Sequence, residues 1–249
     1  MAMNVALLRH LVATRRNPSK SAYDYLHLAD LRDAVAEAIG EGTGRWLDYG
    51  TIISPYEPLI SGATMETADL LSEAPPDIRP TYEFLSGNEC PAPSGRFDGV
   101  LSTQVLEHVA EPEKYLRDAA RMLKEGGTLV LSTHGIWEDH PSPDDFHRWT
   151  AQGLRRLIEG SGFEVLQVVP VTCGFRAITT LALAHLRPLP WKSDDLRFRL
   201  KMWALGKISY FINSIATVLF RDDRMGREGD LATSSRFYVA LLVVARKRI

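Results

Sequence analysis

Cysteine is scarce. The 249 residues carry two, Cys90 and Cys173, far apart and outside any paired motif. That argues against a disulfide framework and against a structural zinc site. Long apolar runs are missing too: the longest charge-free stretch, Ile208 to Phe220, has 13 residues, against the roughly 20 that span a bilayer. Arg9 and His10 interrupt the apolar residues of Met1 to Arg16, so no signal-peptide core is expected there. Nor is there an excess of one charge. With 29 basic and 31 acidic side chains the formal charge is −2, which gives no electrostatic footprint for nucleic acid. Pairs such as Arg15-Arg16 and Arg155-Arg156 are short enough to be solvated faces. The expectation is a cytoplasmic protein with no transmembrane segment and no nucleic-acid partner.

What remains is ordinary globular material. Hydrophobic residues make up 45% and charged residues 24%, and the length suits one α/β domain with insertions. The spacing Leu28, Leu31, Val35, Ile39 predicts a helix over 21–39, after a short helix over 1–16. Arg45 to Gly50 predicts a buried strand ending in an acid and a glycine, followed by a turn or two of helix over Tyr56 to Ile60. Further strands are expected at 63–69, 82–85, 97–101, 128–132, 163–169 and 236–246. Pro112 opens a helix that Gly126-Gly127 should close, and Thr150 is an N-cap for the next one. Strands alternating with helices predict a mainly parallel, doubly wound sheet, interrupted before its last strand by a helical insertion.

Phe97-Asp-Gly-Val-Leu-Ser-Thr-Gln-Val-Leu-Glu-His-Val109 is the most informative stretch. A buried strand breaks at short polar residues, then meets an acid and an imidazole where ligands bind in open α/β sheets. Together with Trp46-Leu-Asp-Tyr-Gly50, Ser54-Pro55-Tyr56, Met122-Leu-Lys-Glu-Gly-Gly127, Leu131-Ser-Thr-His-Gly-Ile-Trp137, His140-Pro141, Asp144, Arg148-Trp-Thr150 and Gly162-Phe163, it resembles the class I S-adenosylmethionine-dependent methyltransferases. Within them it looks like the branch acting in bacterial glycan and cell-surface sugar biosynthesis. The resemblance covers roughly residues 44–170. It implies a Rossmann-like, seven-stranded sheet with an antiparallel last strand. The implied organisation is an N-terminal helical segment (1–43), a cofactor-binding core (44–173 with 235–249) and a helical insertion or cap (174–234).

By resemblance, Asp48 and Gly50 start the loop that approaches the methionine part of S-adenosylmethionine. Asp69, with Glu66 as the fallback, holds the ribose hydroxyls; Asn88 and Glu89 frame the adenine; Thr103 and Gln104 lie along the cofactor. One departure stands out. Relatives usually read Asp-x-Gly-x-Gly in the first loop, and this chain has Ile52 at the second glycine. A β-branched residue disfavours φ > 0, so either the loop takes another path or cofactor binding is weakened.

The implied reaction is transfer of a methyl group to a sugar or glycan hydroxyl; another small molecule's hydroxyl or amine, or a silent partner-binding paralogue, are the alternatives. A hydroxyl acceptor calls for a base near neutral pH. The loop after the fifth strand holds His134, His140, Asp144, Asp145 and His147 within fourteen residues. Three readings stay open: His134 or His108 is the base with an Asp such as Asp144 orienting it; His140, Asp144 and Asp145 hold a divalent cation; or the loop is merely polar, with Asp145 or His147 capping the helix at Thr150. His140, Asp145, His147 and Trp149 are the expected substrate contacts, with packing as the alternative for Trp149. The insertion's stripe Ile208, Phe211, Ile212, Ile215 and Leu219 is expected to pack as a cap on the sheet. A lid, a homodimer interface or a membrane-surface contact through residues 196–220, helped by Lys201, Lys207 and Arg221, are its functional options.

Overall fold

The computed structural model describes residues 5–40, 42–60, 62–69, 77–84, 89–140, 144–186, 196–226 and 236–249. Two helices lead, α1 (Val5–Arg16) and α2 (Tyr25–Ile39), followed by β1 (Thr43–Tyr49), β2 (Gly62–Asp69), β3 (Tyr82–Glu83) and β4 (Phe97–Thr103). Then come α3 (Pro112–Met122), β5 (Leu123–His134), α4 (Ala151–Gly160), β6 (Phe163–Cys173), α5 (Gly174–His185), α6 (Leu196–Leu219) and β7 (Tyr238–Lys247).

The seven strands form one sheet in the order β3-β2-β1-β4-β5-β7-β6. The first five run parallel, and β7 is antiparallel to both β5 and β6. Strand order reverses between β1 and β4, which opens a crevice at their carboxyl ends. The central strands are apolar on both faces because both are covered. One face packs Leu47, Val100, Leu129, Leu131 and Leu241 beneath α3 and α4. The other packs Trp46, Leu101, Val130, Val171 and Leu242 beneath Leu31, Val35 and Ile39 of α2.

Several local expectations shift. The helix expected after β1 is a single 3₁₀ turn, Glu57–Leu59, since Tyr56 and Ile60 are packed under α2, which already covers that face. α3 stops at Met122, before the glycines, because Leu123 turns extended (φ −73°, ψ 143°) and pairs with Phe97. Gly126, at φ 70°, then lies inside the strand rather than after the helix. Thr150 does cap α4: its Oγ1 accepts from the Gly153 N–H at 3.2 Å.

α6 reverses the expected polarity. Ile208, Phe211, Ile215 and Leu219 point outward, while the covered face holds Leu205, Ser209, Asn213 and Ala216. Asn213 Nδ2 donates to the carbonyls of Lys20 (2.8 Å) and Ala22 (2.9 Å), so this helix seats on the turn before α2 and not on the sheet. The insertion is tied down by charge. Buried Asp30 of α2 accepts from Arg176 of α5 at 2.5 and 2.9 Å, and Arg224 spans Asp30 and Asp33. Among the described residues, no helix is long and apolar enough to cross a membrane.

Candidate active site

The carboxyl ends of β1, β2 and β4 open into a cleft of about 950 Å³ that α1 and α2 roof over. One half is built from the sheet: Gly50 to Ile52 after β1, Asp69 after β2, Phe84 and Glu89 after β3, and Gln104 and Val105 after β4. Gly50 takes φ 97°, and a Cβ there would meet Val105 Cγ2 at 2.6 Å, so glycine is required on both counts. Its N–H and that of Thr51 both donate to Ala68 O, at 2.8 and 3.0 Å, which fixes the loop against β2. Ile52 has no positive φ. It is buried against Leu8 and Val12 of α1 and lines the cleft from that side. The loop thus takes another path, and the second glycine's place is used to anchor the roof.

Two cofactor residues expected from the sequence stand elsewhere. Asp48 is buried behind the loop, absent from the cleft lining, and shares a hydrogen bond with Ser54. Burial, with Asp69 nearby, pushes its carboxyl up to about 7. Thr103 is also outside the lining, its hydroxyl engaged with that of Tyr56. Asn88 lies outside the described residues. The fallback Glu66 is committed to Tyr82 (2.6 Å) and Arg96 (2.9 Å), away from the cleft.

The other half of the cleft is apolar and imidazole-rich. Leu8, Leu11, Val12 and Arg15 of α1, Tyr23 and Asp24 before α2, and His27, Leu28 and Leu31 of α2 line it together with His108, His134, Trp137 and His140. His134 ends β5; its ring stacks on Trp137 with centroids 5.3 Å apart, and its Nε2 is 3.5 Å from Glu107 Oε1. Burial, then the neighbouring His27 and His140, holds its pKa well below the usual histidine value, so the ring is neutral. His27 is pushed down to about 4 by burial and by the charge of Arg15. Glu107 is fully buried after β4. Its Oε2 accepts from Thr133 Oγ1 at 2.9 Å, whereas Oε1 has no hydrogen-bond partner among the described residues. Burial raises its pKa.

The loop that holds the remaining expected residues works largely from behind. Asp144 is exposed, and its backbone carbonyl, not its carboxylate, meets His108 Nδ1 at 2.6 Å. The orienting carboxylate expected there is therefore a carbonyl. Asp145 is paired with Arg148 at 2.6 Å through both oxygens and accepts from the His140 N–H at 2.9 Å. Arg148 holds its carboxyl well below the usual range. His147 and Trp149, expected as substrate contacts, pack against one another and are absent from the cleft lining. The sequence reading missed His27 and Trp137 and left Glu107 secondary. His27 sits beside the apolar stripe of α2, a position a periodicity argument treats as a flank; only the fold turns it toward β5.

A doubly wound sheet with a reversed seventh strand and a cleft at its switch point is the fold of the S-adenosylmethionine-dependent methyltransferases. The family model described as "Methyltransferase domain" matches residues 22–168, and the chain belongs to that family. A probable S-adenosylmethionine-dependent methyltransferase of Mycolicibacterium smegmatis is 31% identical over 154 residues, 57% of this chain and 56% of that one. An O-methyltransferase of Pyrenophora dematioidea is 24% identical over 156 residues, 56% and 58% of the two chains. The chain spans about half the length, or less, of the curated relatives it matches. Among solved structures, the [4+2]-cyclase SpnF superposes with a TM-score of 0.55 at 20% identity, covering 98% of this chain and 93% of that one. At that identity the likeness concerns the fold alone.

The sheet-side half of the cleft fits the cofactor. Asp69 brings a carboxylate to the end of β2, where two ribose hydroxyls can donate to it. Gly50 lets backbone come close to a ligand. The volume is at the upper end of the range for small-molecule sites, enough for a nucleoside cofactor and a second, smaller molecule.

Proposed function

We propose that the protein is an S-adenosylmethionine-dependent O-methyltransferase whose acceptor is a hydroxyl on a largely apolar small molecule. S-adenosylmethionine, when bound, supplies an electrophilic methyl group on a sulfonium. Gly50, Ile52, Asp69, Glu89 and Gln104 hold it on the sheet side. The observation that carries the reading is the other half of the cleft: leucines and a valine from α1 and α2 opposite a wall of imidazoles backed by Glu107. A neutral His134 with a carboxylate 3.5 Å away accepts a hydroxyl proton as the oxygen attacks. The chain's own contribution is otherwise positional, holding acceptor and methyl within the roughly 3–3.5 Å of a near-attack arrangement.

A sugar or glycan acceptor, as the sequence resemblance implies, would have to use the polar groups of the lining, Arg15, Asp24 and the histidines, and would leave the leucines without an apolar partner. Calorimetry with S-adenosylhomocysteine, then transfer of a labelled methyl group to phenolic, sugar and amine acceptors, tests the proposal. Saturable binding with transfer to hydroxyls of apolar acceptors is expected. No binding at millimolar concentration sinks the enzyme reading in favour of a silent paralogue; transfer confined to sugars or to amines overturns the acceptor class. His134→Ala should cut turnover at least about a hundredfold and spare cofactor affinity; unchanged turnover moves the role to His108.

The outward face of α6 favours a second element of the reading, contact with an anionic membrane surface. Trp203 and Phe211 are 65% and 67% exposed there. The helix has no acidic residue, and Lys201 and Lys207 are exposed on it. Co-sedimentation with vesicles containing phosphatidylglycerol, but not with pure phosphatidylcholine, is expected, and Trp203→Ser should weaken it. A stable dimer in solution without vesicle binding would replace the membrane with a second copy.

A further inference from the structure

The carboxylate oxygen Glu107 Oε1 poses a chemical problem. It is fully buried and, among the described residues, accepts no hydrogen bond, while imidazoles lie close to it. His134 Nε2 is 3.5 Å from it and His108 Nε2 4.0 Å. One donor atom each from Glu107, His134 and His140 lie within 4.8 Å of one another. Ligands about 2.0–2.1 Å from a tetrahedral zinc ion sit about 3.3–3.4 Å apart, so the Glu107–His134 pair is already at ligand spacing. The others need only a short inward movement.

The groups behind the cluster orient it. His108 Nδ1 meets the Asp144 carbonyl at 2.6 Å, and His140 Nδ1 meets the Glu138 carbonyl at 3.1 Å. Each ring thus donates its Nδ1 proton to backbone and keeps Nε2 as the unprotonated nitrogen, which in His108 lies 4.0 Å from Glu107 Oε1. Thr133 Oγ1 holds Glu107 Oε2 at 2.9 Å, which leaves Oε1 to face the rings. This is how proteins fix the tautomer and aim of metal-ligating histidines and carboxylates. The cluster also joins three elements: the turn after β4, the end of β5 and the loop beyond it.

We infer that Glu107, His134 and His140, with His108 as fourth ligand or neighbour, form a binding site for one divalent transition-metal ion in the wall of the cleft. Imidazole-rich ligation with one carboxylate suits zinc, cobalt, nickel, manganese or iron, and is a poor match for magnesium or calcium, which take oxygen ligands. The residues differ from the His140, Asp144 and Asp145 set expected from the sequence: Asp145 is spent on Arg148, and Asp144 is exposed and outside the cluster. The site faces the cleft, so its open position takes an oxygen from solvent or acceptor. The role given to it rests on the methyl-transfer reading. There the acceptor's O–H bond breaks, the oxygen keeps the electron pair and binds the ion, and the proton goes to water; nothing is oxidised or reduced. With the ion bound His134 is a ligand and water takes the proton; in the metal-free chain the proton passes to His134, as proposed above.

The test uses the full chain without a polyhistidine tag, stripped with EDTA and dialysed. Titration with Co(II) and Zn(II) should give one equivalent per chain, a visible ligand-field band for cobalt, and its loss on adding zinc. Saturating zinc should raise the melting temperature by about 5–10 °C. His140→Ala, a half-buried loop side chain that should not disturb folding, and Glu107→Gln, which keeps the shape, should each weaken cobalt binding by about 10–100-fold. Asp144→Ala should leave it unchanged. Absence of the cobalt band at equimolar metal, or equal affinity in wild type, His140→Ala and Glu107→Gln, overturns the inference. S-adenosylhomocysteine affinity is measured on the same stripped protein. Cofactor binding without metal binding rejects only this site, and metal binding without cofactor binding rejects only the methyltransferase reading.

Discussion

Replacing Gly50 by alanine probes the hinge between sheet and cofactor. The residue sits at φ 97°, where an L side chain is strained, and the new Cβ would come within 2.6 and 2.7 Å of the two methyl groups of Val105. The backbone conformation costs about 1–2 kcal/mol, and forcing a carbon into occupied space about 1–3 kcal/mol more. At about 2–4 °C per kcal/mol for a chain of this size, the melting temperature should fall by about 4–20 °C. Val105 and Gly50 both line the cleft, so S-adenosylhomocysteine affinity should drop at least about tenfold, or ~1.4 kcal/mol. A double-mutant cycle with Val105→Ala separates the two costs. Most of the steric part disappears when the methyl groups are gone, the Val105 Cβ remaining at 3.2 Å, and the conformational part stays, which gives a favourable coupling of about 1–3 kcal/mol. Calorimetric melts and titrations on the four proteins measure this. Strict additivity, or a Gly50→Ala variant that melts and binds like wild type, would refute the account of the loop.

Three further predictions concern stability. Arg176→Met removes the two short hydrogen bonds of buried Asp30 and leaves it the longer Arg224 contact, which should cost about 3 kcal/mol; adding Asp30→Leu should recover part of it, and a double variant no better than the single would mean the ion pair is not the cause. The raised pKa of Asp48 means that the folded protein keeps a proton the unfolded chain gives up between about pH 4 and 7. Stability tied to this group is full below pH 4 and declines as pH rises through 7, by about 4 kcal/mol; Asp48→Asn should flatten that part of the stability–pH curve, and an unchanged slope would assign it elsewhere. Thr150→Ala removes the cap on α4 and should cost about 1 kcal/mol in urea melts, with an effect below 0.3 kcal/mol counting against the cap.

The sheet was legible because its evidence is local. Buried parallel strands write themselves as short apolar runs, and Pro112, Thr150 and the stripe Leu28, Leu31, Val35 mark helices by chemistry that acts within a few residues. The motif blocks placed the cleft, and Gly50, Asp69, Glu89 and Gln104 do line it. Ile52 was visible as an oddity, but its reason lies in α1, some forty residues earlier in the chain. Which way a side chain faces at the end of a strand is set by packing across the fold. That decided that Asp48 is buried behind the loop, that Asp144 offers a carbonyl and Asp145 a brace, and that the stripe on α6 looks outward. The same holds for the imidazole wall: His108, His134 and His140 come from the turn after β4, the end of β5 and the loop beyond it, and only the folded sheet brings them to one buried carboxylate, with His27 of α2 beside His134.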